Sequence, residues 1–225
     1  MPSDYDVWLL DLDGTIVDAS FGHVRWVFDE VGDRLGRRFT DEEAERLWNG
    51  LCGEPNDELR RMGVDPGTFW QAFHEVEDPD RRAAATTLYE DAAVVAEVDS
   101  PTALVTHCQS YLTEAVLEIH GIADWFDAVV CCDDDVGWKP DPAPVERALR
   151  DLGVRGDVEG VLVGDTVGDV GAAWNAGLDA AHVERFDHDR RRRCVLADYR
   201  VSRLDELPLS GTSSSSGDTS ASADD

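Results

Sequence analysis

Two acidic pairs and one lysine carry the chemistry open to this sequence. The first pair lies in Asp11-Leu12-Asp13-Gly14-Thr15, directly after the apolar run Tyr5 to Leu10. Side chains two apart on a strand point the same way, so the two carboxylates are expected to converge at the strand's end. Their repulsion is relieved either by a divalent cation or by a shared proton. The second pair, Asp165 and Asp169, lies in Val161-Leu162-Val163-Gly164-Asp165-Thr166-Val167-Gly168-Asp169. A helix beginning there would put these residues four apart on one face. In so acidic a chain any single Asp reads first as surface decoration, but both pairs follow apolar runs that read as buried strands. Lys139 stands in Gly137-Trp138-Lys139-Pro140-Asp141-Pro142 and is the one lysine among 20 cationic residues, the rest being Arg. A solvated lysine could have been replaced like the others. A compact ammonium that meets one oxygen as a point charge could not be replaced by a broad, planar guanidinium. Thr106 closes the run TALVT, where its hydroxyl and the neighbouring amides could meet a phosphate.

These residues need a scaffold that presents them at one edge. Short continuous apolar runs recur at Thr102–Thr106, 128–132, 160–163 and 180–183, with a weaker one at 198–201. Runs of this kind read as strands of a parallel sheet. Helical patterns separate them: Tyr111, Leu112, Ala115, Val116 and Ile119 form one, and Val145, Ala148, Leu149 and Leu152 another. The expected fold class is α/β, a Rossmann-like parallel sheet with helices on both faces, which binds ligands at the strands' C-terminal edge. The roughly 90 residues between the first strand and the second exceed a single crossover. Val24, Val27, Phe28, Val31 and Leu35 share a helical face, Thr40 with Glu43 forms a capping box, and Asp65-Pro66 opens a further helix. Residues 18–84 therefore read as a small helical domain set into an α/β core of residues 1–17 and 85–209. Its aromatic residues read as that domain's own core. From Ser210 to Asp225 the sequence is acidic and Ser-rich, with no apolar residue larger than Ala, and reads as a disordered tail.

Composition narrows the partners. With 42% apolar residues the chain can bury a core, and no run approaches the roughly 18 apolar residues of a membrane span. The N-terminus lacks a basic-then-apolar signal layout, so the expected location is cytoplasmic. Asp plus Glu number 48 against 20 Lys plus Arg, a formal charge of −28. Such a surface repels nucleic acid and anionic lipid, so neither is expected as a partner. The near-elimination of Lys on an acidic surface resembles proteins of salt-accumulating archaea. Five cysteines without a CxxC pair suit reduced thiols better than a zinc site or a disulfide framework.

Taken in order, Asp11-Leu12-Asp13-Gly14-Thr15, Thr106, Lys139 and Gly164-Asp165 through Asp169 resemble the motifs of the haloacid dehalogenase superfamily. The resemblance covers residues 1–17 and about 85–207, and the helical stretch is similar to the cap of phosphoglycolate phosphatase-like and β-phosphoglucomutase-like members. It implies a Mg²⁺-dependent phosphatase acting on a small phosphorylated metabolite. Asp11 would be the nucleophile, and Asp13 the acid and then the base. Mg²⁺ would be held by the carboxylates of Asp11 and Asp165 and the backbone carbonyl of Asp13, with Asp169 a ligand or its support. Lys139 and Thr106 would stabilise the phosphoryl group. His107 stands where the family usually has Asn, and His23 falls where many capped relatives place a substrate-facing histidine. An amphipathic-helix histidine facing the interior or solvent reads equally well for His23. Asp13 argues against a dehalogenase, since a halide leaves without a proton. A phosphomutase and a catalytically silent binding protein remain the alternatives.

Overall fold

A computed structural model describes residues 5–51, 53–191 and 194–207. The chain opens with β1 (Val7–Leu10), turns, forms β2 (Val17–Ala19), and enters a run of helices. These are α1 (Phe21–Leu35), α2 (Asp41–Trp48), α3 (Pro55–Arg61), α4 (Pro66–Val76) and α5 (Pro79–Ala84). β3 (Thr86–Leu88) then returns antiparallel to β2, with Val17 opposite Leu88 and Ala19 opposite Thr86. From there strand and helix alternate: β4 (Thr102–Thr106), α6 (Ser110–His120), β5 (Ala128–Cys131), α7 (Ala143–Asp151) and β6 (Gly160–Gly164). α8 (Val167–Asn175), β7 (Asp179–Val183), the short α9 (His188–Arg191) and β8 (Tyr199–Val201) complete the chain. The tail expected at 210–225 lies outside the described residues.

The main sheet has the order β5-β4-β1-β6-β7-β8, and every pairing in it is parallel. Alternation along β1 sends its side chains to two cores. Trp8 and Leu10 join Leu104, Val163, Val116 and Leu117 on the α6 side. Val7 and Leu9 join Val105, Leu162, Val145 and Ala173 on the side of α7 and α8. This is why the strand reads as a continuous apolar run: both faces are covered. Each fully buried leucine here contributes roughly 1.5–3 kcal/mol relative to its exposed state. The chain leaves β1 toward β4 and β5 on one side and later crosses to β6 on the other. The C-terminal edge of β1 is therefore a topological switch point, where open parallel sheets leave a crevice.

The helices between β2 and β3 enclose a third core, in which Phe28, Leu59 and Phe69 are fully buried. The caps expected from sequence are formed. Thr40 and Glu43 make a reciprocal capping box, and the Asp65 carboxylate accepts from the Thr68 amide at the start of α4. Proline at the first turn of α3, α4 and α5 presets φ where no amide partner is needed. The β2–β3 ribbon was not foreseen, since three residues per strand are too few for a periodicity to register.

Candidate active site

β1, β4 and β6 deliver Asp11, Thr106 and Asp165 to the same edge of the sheet. Past Leu10 the chain leaves strand geometry: the Leu12 carbonyl accepts from the amides of Ile16 and Val17, and Gly14 turns at φ 76°. A Cβ on Gly14 would lie 2.4 Å from Asp165 Oδ2, so glycine is required both for the turn and for the approach of that carboxylate. Gly164 serves Asp169 similarly, a Cβ there lying 2.3 Å from its Cγ.

Lys139 sits among these acids. Its Nζ donates to Asp11 Oδ1 at 2.8 Å, to Asp169 Oδ1 at 2.5 Å and to the Val105 carbonyl at 2.8 Å, which uses all three ammonium donors. The residue is 6% exposed. Its loop is seated on α8, where the Asn175 amide donates to the Pro140 carbonyl and Gly171 leaves room for the Pro140 ring.

The expected i, i+4 relation of Asp165 and Asp169 on a helix is not what forms. Thr166 is the N-cap of α8, so Asp165 lies on the loop before it, and Asp169 is the third helical residue. Thr166 closes a capping box with Asp169, whose Oδ2 accepts from the Thr166 amide at 2.9 Å and from its hydroxyl at 2.6 Å. The N-cap signal, Thr with an acid three residues on, is present in the sequence and would have corrected the boundary. The two acids converge all the same. Oxygens of Asp11, Asp165 and Asp169 lie within 4.8 Å of one another, and Asp165 Oδ1 is buried without a hydrogen-bond partner.

Three carboxylates, the Lys139 ammonium and the buried Arg191 guanidinium, which donates to the Asp165 carbonyl at 3.0 Å, leave one formal negative charge in a buried site. Burial, with the neighbouring Asp169 and against the pull of Lys139, raises Asp11 to about 7. Burial and the carboxylates of Asp11 and Asp169 push Asp165 well above the usual range. Asp169 is also penalised by burial, but Lys139 and the Thr166 hydroxyl overcome this and hold it low. Lys139 is raised because its two carboxylate partners outweigh burial. An all-oxygen donor set with a partnerless buried oxygen and more carboxylates than cations fits a hard divalent cation.

Asp13 faces the same crevice, but its side chain lies outside that cluster. Its Oδ1 accepts from Arg82 at the end of α5, a buried residue whose guanidinium also lies 4.6 Å from the Trp48 ring centroid. Sequence reasoning missed Arg82, because nothing distinguishes it there from eighteen other arginines. Thr106 is buried at the end of β4, and its hydroxyl accepts from the Cys108 amide at 3.0 Å. His107 stands in the crevice wall with its ring 5.5 Å from that of Trp138. Confinement in the wall and the nearby Lys139 charge keep its imidazole below the usual range. His23 is not brought to the crevice. It is 3% exposed, packs between Trp26 and Trp48, and lies 3.6 Å from the buried Glu77.

Over the acids lies a cavity of about 890 Å³ between the sheet edge and the helices α2 and α4. Trp48, Trp70 and Phe73 form much of its far wall. All three pack, as expected, against the helical core of Phe28, Phe39 and Phe69, and they line the cavity with their remaining surface. Among the described residues no helix is long and apolar enough to cross a membrane.

Comparison with known proteins agrees with this arrangement. Residues 5–177 match the family model for haloacid dehalogenase-like hydrolases. Pyrophosphatase PpaX of Bacillus velezensis is 28% identical over 78% of this chain and 81% of its own. Phosphoglycolate phosphatase of Pectobacterium atrosepticum is 30% identical over 91% of this chain and 92% of its own. The crystal structure of a HAD phosphatase from Thermococcus onnurineus superposes with a TM-score of 0.62 at 27% identity, covering 90% of this chain and 95% of that one. The buried acids at the switch point and the family match over most of the chain lead to one conclusion: this protein belongs to the haloacid dehalogenase-like hydrolases.

Proposed function

We propose that the chain is a Mg²⁺-dependent phosphatase that hydrolyses small-molecule phosphate monoesters through an aspartyl-phosphate on Asp11, with α1–α5 as its cap. The observation that carries this reading is the buried Lys139 ammonium between Asp11 and Asp169, beside a partnerless Asp165 oxygen and beneath a cavity of metabolite size. Asp11, Asp165 and Asp169 would hold the cation, which supplies charge neutralisation at the phosphoryl oxygens when bound. The Asp13 backbone carbonyl is a further proposed ligand.

The chain's own groups account for the remaining steps. Lys139 fixes the Asp11 carboxylate by a hydrogen bond to Oδ1, leaving the other oxygen to attack phosphorus in line with the ester oxygen. Its ammonium donors are already engaged, so it acts on the phosphoryl group as a charge beside the nucleophile. Direct donation requires exchange of one of the three bonds. The Thr106 hydroxyl accepts from Cys108 and so has its own proton to offer a phosphoryl oxygen. Asp13 protonates the departing alkoxide and then takes a proton from the water that cleaves the aspartyl-phosphate. Arg82 occupies Asp13 Oδ1, so the leaving oxygen must use the other carboxylate oxygen or meet Asp13 after this pair separates.

The test is phosphate release from a panel of monoesters in molar KCl, with Mg²⁺ or with EDTA, for wild type and Asp11→Asn. Release that needs Mg²⁺ and falls to background in the folded variant is expected. Absence of release by folded wild-type protein on every member would overturn the hydrolase reading in favour of phosphoryl return to the substrate or a silent binder.

A further inference from the structure

The cavity above Asp11 is more than a passage to the acids. Its wall on α2 and α4 is a connected aromatic surface: the Trp48 and Phe73 rings are 5.8 Å apart, and those of Trp70 and Phe73 5.4 Å. Both indoles are half-buried and line the cavity, with the Arg82 guanidinium lying over the Trp48 ring at 4.6 Å. At about 890 Å³ it falls in the range that encloses drug-sized ligands, far more than a two-carbon phosphate fills.

Charge on this wall runs against an anionic leaving group. Among the described residues lining the cavity, the full cations are Lys139 and Arg82. Lys139 is held by Asp11, Asp169 and the Val105 carbonyl. Arg82 is 3% exposed and ion-paired with Asp13 through one Nη, and its Nε and Nη1 are buried without a hydrogen-bond partner, out of a ligand's reach while this packing holds. Glu54, Glu77 and Asp134 add negative charge around the same space. Burial lowers the pKa of His74, which therefore supplies no cation near neutral pH. The second phosphate of pyrophosphate, or a carboxylate on a short phosphate ester, would find no exposed counter-charge on this surface. It would face the buried Glu77 and the exposed carboxylates of Glu54 and Asp134.

We propose that the leaving group of this enzyme is neutral and planar-aromatic, a nucleoside or an aryl alcohol, and that it stacks on Trp48 and Trp70 while its phosphate sits at Asp11. This rests on the phosphatase reading and deepens it. The rings supply flat apolar area that tolerates any π-face, the same means by which proteins hold bases without reading their edges. The specificity so assigned differs from the substrates in the names of the pyrophosphatase and phosphoglycolate phosphatase relatives.

The experiment measures binding rather than turnover, so that it stands apart from the test of hydrolysis. The full-length Asp11→Asn protein, in MgCl₂ and molar KCl, is titrated calorimetrically with nucleoside 5′-monophosphates, phenyl phosphate, phosphoglycolate, pyrophosphate and inorganic phosphate. Aromatic monoesters are expected to bind at least about tenfold tighter than phosphoglycolate or pyrophosphate. Nucleotides binding tighter than phenyl phosphate assign a nucleoside, and the reverse assigns a simple aryl alcohol. Adding Trp70→Leu, which keeps apolar volume but removes the π-face, should weaken the aromatic esters about 5- to 100-fold and shift inorganic phosphate little. Trp48→Leu should do the same, which guards against loss of either variant to misfolding. Pyrophosphate or phosphoglycolate binding as tightly as the aromatic esters, or equal weakening of every ligand by both substitutions, overturns the proposal. Failure of hydrolysis alone would appear as absent phosphate release by wild type with the aromatic preference intact.

Discussion

Lys139 shows how much one residue can state when its alternatives have been removed. Its three donors meet three acceptors within a buried site, an arrangement a planar guanidinium with five donors cannot reproduce. Lys139→Arg is therefore expected to lower kcat by about 10²–10³ while the protein still folds. Lys139→Met strands Asp11 and Asp169 without their counter-charge and should cost about 3–5 kcal/mol in urea unfolding. Near-wild-type turnover by Lys139→Arg would remove the point-charge argument. At this scale Asp11, Asp13, Thr106, Lys139, Asp165 and Asp169 were legible because their chemistry is unusual for where they stand in the chain. Arg82 was not, since its meaning comes wholly from its contact with Asp13.

At the scale of elements, the parallel strands were readable because strands covered on both faces must be continuously apolar. β7 carries an exception with consequences. His182 is fully buried on this strand, and neither ring nitrogen has a hydrogen-bond partner. Burial first, and the Arg191 charge second, lower its pKa to about 4. In the unfolded chain histidine titrates near about 6.5. Between these values the unfolded state takes up a proton that the folded state refuses, so stability is complete above about pH 6.5 and falls as the pH drops toward 4. At pH 5.0 this amounts to about 2 kcal/mol relative to pH 7.5. His182→Leu should lose less stability than wild type over that interval by this amount, read from urea unfolding at the two pH values. Equal losses would show that the histidine does not set the pH dependence. The sequence leaves the start of α8 open: Asp165 and Asp169 share one helical face only on the condition that a helix begins there. Periodicity locates a helix but not its cap, and Thr166 decides whether Asp165 belongs to helix or loop.

For the whole molecule the governing quantity is the formal charge of −28. Many arginines are already paired on the surface, as in Arg25 with Asp29 and Asp41, Arg34 with Glu75, and Arg147 with Asp151. Such exposed pairs contribute about 0–1 kcal/mol each and leave the excess of carboxylates uncompensated. Raising salt from 0.1 M to 1 M shortens the Debye length from about 10 Å to about 3 Å and weakens their mutual repulsion. The thermal midpoint is expected to climb with KCl from 0.1 M to the molar range, by about 2–4 °C for each kcal/mol regained. A midpoint that falls or stays level in calorimetry would mean that the paired arginines, rather than screening, hold the surface together.

The sequence by itself determined the α/β class, the strand ends that bear the acids, and the identity of those acids. These follow from short-range rules: a strand covered on both faces is apolar throughout, and polar residues at its end must have a use. Tertiary structure decided what touches what. It set Lys139 between two particular aspartates and turned Asp13 toward Arg82. It buried His23 and brought Trp48, Trp70 and Phe73 into the lining of the cavity that holds the acids. Each of these depends on how a helical layer entered through one short ribbon lies over the sheet edge. That relation spans residues far apart in the chain, where no local pattern can carry it.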